Sequence, residues 1–300
     1  MLNPFHSLTL SNYHQVMHRF LCVLLLTFTT YPSLAQEGLA QEGLAQEELA
    51  QERLAQERLT QERQSHESTN PPLKQLSYKV LDRQPHDRSL FTQGFLVDGP
   101  WIYESSGRYG QSKLARYKEA DSSSFYAMKL PSRVFAEGMT LFDDHFYVLT
   151  WQSRKGYVYD RNWILKRTFH YEGEGWGLTH SDSHLIMSDG SNQLRFLNPK
   201  SLIVEQTLTV TGDDQNWDNL NELEFHDGLI WANRWQHNHI IAIDAKTGKV
   251  KGILDLTDLH QTRPGKRRER VLNGIAWSDA RQGFWVTGKL WPTRYLIQIQ

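Results

Sequence analysis

The chain has 300 residues, enough for one large all-β domain or two ordinary ones, and 39% of them are hydrophobic, enough to fill a core. Its 33 Lys and Arg balance 34 Asp and Glu to a formal net charge of −1, so no overall bias draws it to nucleic acid or to a membrane surface. The single cysteine, Cys22, excludes an internal disulfide framework.

In chain order, Arg19 precedes the apolar stretch FLCVLLLTFTTYPSLA, which is too short for a comfortable membrane span. Ser33 and Ala35 stand as the small residues of a signal-peptidase site. Residues 1–35 therefore read as a cleaved export signal, which predicts a periplasmic or secreted protein; an uncleaved anchor helix is the alternative. The positive region is long if translation starts at Met1, and Met17 followed by His18 and Arg19 gives a more ordinary start. Cleavage after Ala35 removes Cys22, and no later cysteine is present to carry a lipid anchor.

Residues 36–75 are a low-complexity linker. From Gln36 to about Gln64 a five-residue unit repeats as AQEGL, AQEGL, AQEEL, AQERL, AQERL, TQERQ. Ala, Gln, Glu, Leu and Arg all favour helix, but a period of five drifts around the helix and gives no continuous apolar face. A solvated, fraying helix is expected, with a coiled-coil stalk as the lesser alternative. HESTNPPLK then breaks any helix and marks the boundary of a domain over residues 76–300.

Within that domain a strand-like segment carrying Gly, Asn or Glu is followed five times by a second strand ending in a polar or aromatic cluster. The pairs are FTQGFLVDGPWIYESSG, FAEGMTLFDDHFYVLTW, GWGLTHSDSHLIMSDG, LNELEFHDGLIWANRW and LNGIAWSDARQGFWVTGKLW. From Gly94 through Gly138, Gly177 and Glu222 to Gly274 the steps are 44, 39, 45 and 52 residues, the range in which four-stranded propeller blades repeat. The fold predicted is an all-β, five-bladed propeller. Blades run from Phe91, Phe135, Glu174, Leu220 and Val271; the last shows three strands, and the N-terminal SYKVLDRQP is expected to supply its outer strand and close the ring. The basic insertion HQTRPGKRRER reads as a surface excursion.

In a propeller the innermost strands line the channel and the loops at one end converge. Phe91, Gln93, Glu137, Trp176, Asn221 and Asn273 hold equivalent places on the first strands, while Trp151, Asp189, Trp235 and Lys289 end the second strands. The repeat predicts that they meet around one mouth, a polar and aromatic pocket for a small group.

At FTQG, YESSGRYGQS, AEGMT, LTW, YEGEGWGL, MSDGS, LNELE, WANRW, LNGIA and TGKLWP the chain resembles the plant and bacterial glutaminyl cyclases, or glutamine cyclotransferases. The motifs follow in order from about Tyr78 to the C-terminus. The resemblance implies a five-bladed propeller that converts N-terminal glutamine of peptides or proteins to pyroglutamate with release of ammonia. It implies Glu137 as general acid/base, which agrees with its place as a channel-lining carboxylate among uncharged neighbours. Lys289 would either steady the oxyanion on the γ-carbonyl or pair with Glu137 and set its ionisation. Gln93 and Asn221 would hold the substrate amide, and Trp151, Trp176, Trp235 and, more weakly, Phe91 would wall the glutamine side chain.

Trp231, Trp277 and Trp285 read as blade core. Glu104, Glu172, Glu174, Asp189, Glu222 and Glu224 read as structural bridges or as ligands of a non-catalytic cation in the channel. No cofactor is required, and no histidine pair at zinc spacing has a third ligand beside it. A closed ring has no need of a partner, so a monomer is expected. Cleavage after Ala35 would expose Gln36, itself a substrate, on a tether of 40 residues with a random-coil reach of roughly 35 Å. The competing reading is a non-catalytic propeller that binds peptides or glycans on its aromatic mouth. A quinone-dependent sugar dehydrogenase would need cofactor and metal ligands that the sequence does not show.

Overall fold

The computed structural model describes residues 49–58, 73–213, 215–259 and 269–300. The expected export signal, Gln36 and residues 260–268 of the basic insertion lie outside them. The chain divides into two units, Met1–Thr69 and Asn70–Gln300. In the first, residues 49–58 are helical, with Leu49 and Leu54 each 56% exposed, as a five-residue period without an apolar face requires.

The second unit opens with β1 (Lys74–Leu76) and β2 (Tyr78–Pro85). Blade 1 is β3 (Thr92–Asp98), β4 (Trp101–Ser106), β5 (Lys113–Lys118) and β6 (Asp121–Lys129). Blade 2 is β7 (Ala136–Phe142), β8 (His145–Thr150), β9 (Lys155–Asp160) and β10 (Leu165–His170). Blade 3 is β11 (Leu178–His180), β12 (Leu185–Ser188), β13 (Gln193–Leu197) and β14 (Val204–Thr209). Blade 4 is β15 (Leu220–His226), β16 (Leu229–Arg234), β17 (His239–Asp244) and β18 (Val250–Asp255). Blade 5 is β19 (Leu272–Ser278), β20 (Gly283–Gly288) and β21 (Thr293–Ile299), completed by β2 in antiparallel register Val80↔Ile297. The five-bladed ring closed by an N-terminal strand is thus the observed architecture. Blade 4 carries one strand more than foreseen: β1 joins β18 in parallel, Lys74 opposite Gly252, and so crosses the boundary placed at 75/76.

Local sequence sets the hairpins. Asp143-Asp144 (φ 48° and 59°) and Asp227-Gly228 (φ 50° and 73°) are positive at both central residues, the two-residue turn whose twist matches the flanking strands. The repeated glycines answer to crowding at the axis. A Cβ at Gly94 would lie 2.3 Å from Met139 N, at Gly138 2.4 Å from Leu178 N, and at Gly177 1.8 Å from Asn221 O, so each inner strand abuts the next blade's backbone.

Among the described residues, each junction between neighbouring blades holds its own buried apolar cluster. Phe146 and Val148 meet Leu114 and Leu96 between blades 1 and 2, and Phe95 and Ile102 meet Trp285 and Leu296 across the closing junction. That junction is also polar. His86 Nε2 lies 3.0 Å from Glu104 Oε1, Thr92 and Tyr117 donate to the same carboxylate, and Glu119 Oε1 accepts from Trp285 Nε1 (2.6 Å) and Ser278 Oγ (2.7 Å).

Several of the acids left open as cation ligands have protein partners. Glu222 accepts from the backbone N–H of Phe95 (3.1 Å) in blade 1 and of Ile275 (2.7 Å) in blade 5, stapling three inner strands. Glu224 accepts from Trp277 N, and Asp189 pairs with Arg195 at 3.1 Å. Among the described residues no three His, Cys, Asp or Glu side chains group to hold a metal ion.

Trp231 and Trp285 are buried as expected, while Trp277 is half-buried and stacks on His226 at 3.8 Å.

Candidate active site

The starts of the inner strands and the ends of the second strands open at one end of the channel. Gln93, Glu137 and Asn221 come from β3, β7 and β15, and Phe91, Phe135 and Trp176 from just before β3, β7 and β11. Trp151, Trp235 and Lys289 follow β8, β16 and β20. These nine side chains line one cavity of about 220 Å³. The eight residues given catalytic or glutamine-binding roles from the sequence are among them. Phe135 is the addition; it stands two residues before Glu137 as Phe91 stands two before Gln93, so the offset that indicated the one pointed to the other. Asn273 and Asp189, expected at the same mouth, do not line the cavity. Asn273 lies behind Gln93, and Asp189 is held by Arg195 and Ser191.

Hairpin geometry fixes the backbone beneath these side chains. Trp151 N donates to Phe135 O (3.1 Å), Trp235 N to Asn219 O (2.8 Å), and Lys289 N to Val271 O (2.9 Å). Asn273 Nδ2 donates to Thr92 O (2.9 Å) and reaches Gln93 Oε1 at 3.4 Å, which turns the Gln93 amide so that Nε2 donates to Glu137 Oε1 (3.1 Å). Asn221 Oδ1 is buried without a partner among the described residues, an acceptor available to a bound amine or amide.

The charges are few and set apart. Burial pushes the Glu137 carboxyl well above the ordinary 4.5; Lys289 draws it down and Glu174 pushes it up. Burial brings the Lys289 ammonium from 10.5 to about 8, against the lift from Glu137. No ion pair joins these two among the described residues, and Lys289 Nζ instead lies 5.0 Å from the centre of the Phe91 ring. A carboxyl whose acid form is favoured by burial and a cation held against an aromatic ring thus share one apolar-walled cavity.

The aromatic wall has an anchor that sequence placed only among the conspicuous acids. Glu174 Oε2 accepts from Trp151 Nε1 (2.6 Å) and Trp176 Nε1 (2.9 Å), and Oε1 accepts from Gln152 Nε2 (3.1 Å). Burial alone would raise the Glu174 carboxyl, but the bonds from Trp176, Gln152 and Trp151 hold it below 4.5. Trp176 in turn meets Trp235 edge to face at 5.7 Å.

The chain is 34% identical over 227 residues to an Arabidopsis thaliana protein named glutaminyl-peptide cyclotransferase, covering 74% of this chain and 71% of the relative. The crystal structure of Myxococcus xanthus glutaminyl cyclase superposes with a TM-score of 0.69 at 30% identity, covering 77% of this chain and 99% of that one. The sequence profile of the glutamine cyclotransferase family matches residues 52–299, starting within the pentapeptide tract, and the chain belongs to that family.

Proposed function

We propose that the cavity takes the side chain of a peptide's N-terminal glutamine and closes it to pyroglutamate with release of ammonia. The observation that carries this reading is that Glu137, its carboxyl raised by burial, lines one aromatic cavity with Lys289, with which it makes no ion pair among the described residues. The substrate's α-nitrogen attacks its own γ-carboxamide carbon, forming the C–N bond of a five-membered ring. Glu137 takes the proton that the nitrogen sheds, and the negative charge collects on the γ-oxygen, where the Lys289 ammonium steadies it. Glu137 then returns the proton to the departing NH₂, the old C–N bond breaks, and ammonia leaves. One carboxyl does both transfers. Gln93 orients Glu137, Asn221 offers its free acceptor to the α-amine, and the tryptophans press the chain into the attacking rotamer, where most of the advantage of an intramolecular reaction lies.

The acid, the base and the cation all come from side chains of this chain, so the reading assigns no role to a metal or other cofactor. The test is the full chain with a short Gln-initiated peptide, with and without a chelator, following ammonia and peptide mass together. Equal turnover in both arms, with the peptide lighter by one ammonia, supports the reading. Binding without turnover by folded protein replaces it with a peptide-binding propeller.

We further infer an exported monomer that caps its own Gln36. Support for export comes from the signal-like residues 1–35, and among the described residues no helix is long and apolar enough to cross a membrane. Intact mass of the secreted Glu137→Gln variant tests the capping: an N-terminal glutamine that keeps its ammonia supports it, and one already lighter by ammonia refutes it.

A further inference from the structure

The glutamine cavity ends at a rim that the reaction does not use. A peptide substrate must leave through it, because the residue after the glutamine is bonded to the carbon skeleton that the cavity holds. At this rim Phe135 touches Phe91 (6.2 Å between ring centres, edge to face) and Trp151 (5.5 Å) on the cavity side, and Tyr109 (5.4 Å, edge to face) on the outside. Tyr109 is no part of the cavity wall and is 50% exposed, so a large aromatic ring stands in water continuous with the aromatic lining. Such placement costs apolar burial that a partner can recover.

The segment that presents it is fixed. Gly107 N donates to Phe91 O (3.0 Å), Gly110 N to Ser132 O (2.8 Å), and Ser112 Oγ to Arg108 O (2.9 Å). A Cβ at Gly107 would fall 2.3 Å from the Phe135 ring, so the turn runs hard against that side chain. Arg108 adopts φ 91°, a left-handed backbone rarely taken by a residue other than glycine, with its guanidinium 4.5 Å from the Phe91 ring centre and bonded to Glu269 at 2.5 Å. The rim's Arg108 is thereby paired with Glu269, while the Tyr109 ring beside it stays open.

We propose that Tyr109, together with the outer face of Phe135, forms a subsite for the side chain that follows the glutamine and selects an aromatic or large apolar residue there. The proposal rests on the reading that the cavity holds the glutamine itself. An apolar side chain laid on this rigid surface loses contact with water without ordering a loop, which is how a preformed subsite gains affinity.

The test compares kcat/KM of the full chain, of Tyr109→Ala and of Tyr109→Phe on two amidated peptides, Gln-Phe-Gly and Gln-Gly-Gly. The wild type is expected to favour the Phe peptide by about tenfold, the lower end of what one apolar side chain commands. Tyr109→Ala is expected to bring the ratio near one with turnover of Gln-Gly-Gly unchanged, and Tyr109→Phe to keep the wild-type ratio. A ratio untouched by Tyr109→Ala overturns the proposal, and so does an equal fall on both peptides, which would place Tyr109 in the fold. Absence of turnover on both peptides by the wild type would overturn the glutamine reading, whereas a wrong assignment of Glu137 alone leaves the ratio measurable.

Discussion

Trp151 and Trp176, from neighbouring blades, donate their indole N–H groups to the same atom, Oε2 of Glu174, at 2.6 and 2.9 Å. One carboxylate thus sets the angle between two walls of the cavity. Hydrogen bonds to a charged group are worth about 1.5–3 kcal/mol each. Glu174→Ala is expected to raise KM and to lower kcat/KM by about 10–100-fold, with an unchanged melting temperature separating loss of the wall from loss of the ring.

Charge around Glu137 makes a second expectation, in pH. Glu174 raises the Glu137 carboxyl and Lys289 lowers it. Removing the negative charge in Glu174→Gln therefore moves the acid limb of kcat to lower pH, and removing the positive charge in Lys289→Met moves it to higher pH. The substrate amine contributes equally to every enzyme, so the opposed shifts isolate Glu137. Limbs that move together would contradict the arrangement.

Lys289 also bears on rate. With its ammonium near 8, the wild type is expected to lose the cation as pH rises through that value, with a fall in kcat. Lys289→Met removes that alkaline limb and is expected to lower kcat by about 10²–10³-fold, the effect of deleting one donor to a developing oxyanion. Pre-steady-state and steady-state rates on one peptide check both.

The closing junction predicts stability. The buried His86 is shifted above 6.5 and Glu104 below 4.5, chiefly because each resists its desolvation through the other. Stability from Glu104 is present above its unfolded value and lost as pH falls through the lowered one. Stability from His86 is present below its unfolded value and lost as pH rises through the raised one. Both contributions are complete between pH 4.5 and 6.5. His86→Ala leaves a buried carboxylate unpaired, at a cost of about 3–5 kcal/mol. Thermal melts should show the largest deficit inside that window.

Much of this was legible in the sequence because a narrow five-fold axis punishes any side chain where inner strands touch. Gly94, Gly138 and Gly177 mark that contact, and the residue before each marks the mouth, which is why Gln93 and Glu137 could be located from spacing. What stayed hidden has equally physical reasons. β1 is three residues long with no period to read, and its seat depends on Gly252, where a Cβ would lie 2.9 Å from Leu76 Cγ. Glu174 looked like one acid among six because its partners, Trp151 and Trp176, come together only when blades 2 and 3 pack. Asn273 shares the repeat position of Glu137 but turns to Thr92 and Gln93, and repeat position alone does not give side-chain direction.

The central claim is that Glu137 moves the protons of cyclisation. The direct measurement is ammonia release from a Gln-initiated peptide by Glu137→Gln, in protein whose melting temperature and peptide binding match the wild type. A fall in kcat of about 10²–10⁴-fold with binding retained is predicted. Turnover at the wild-type rate would contradict the account.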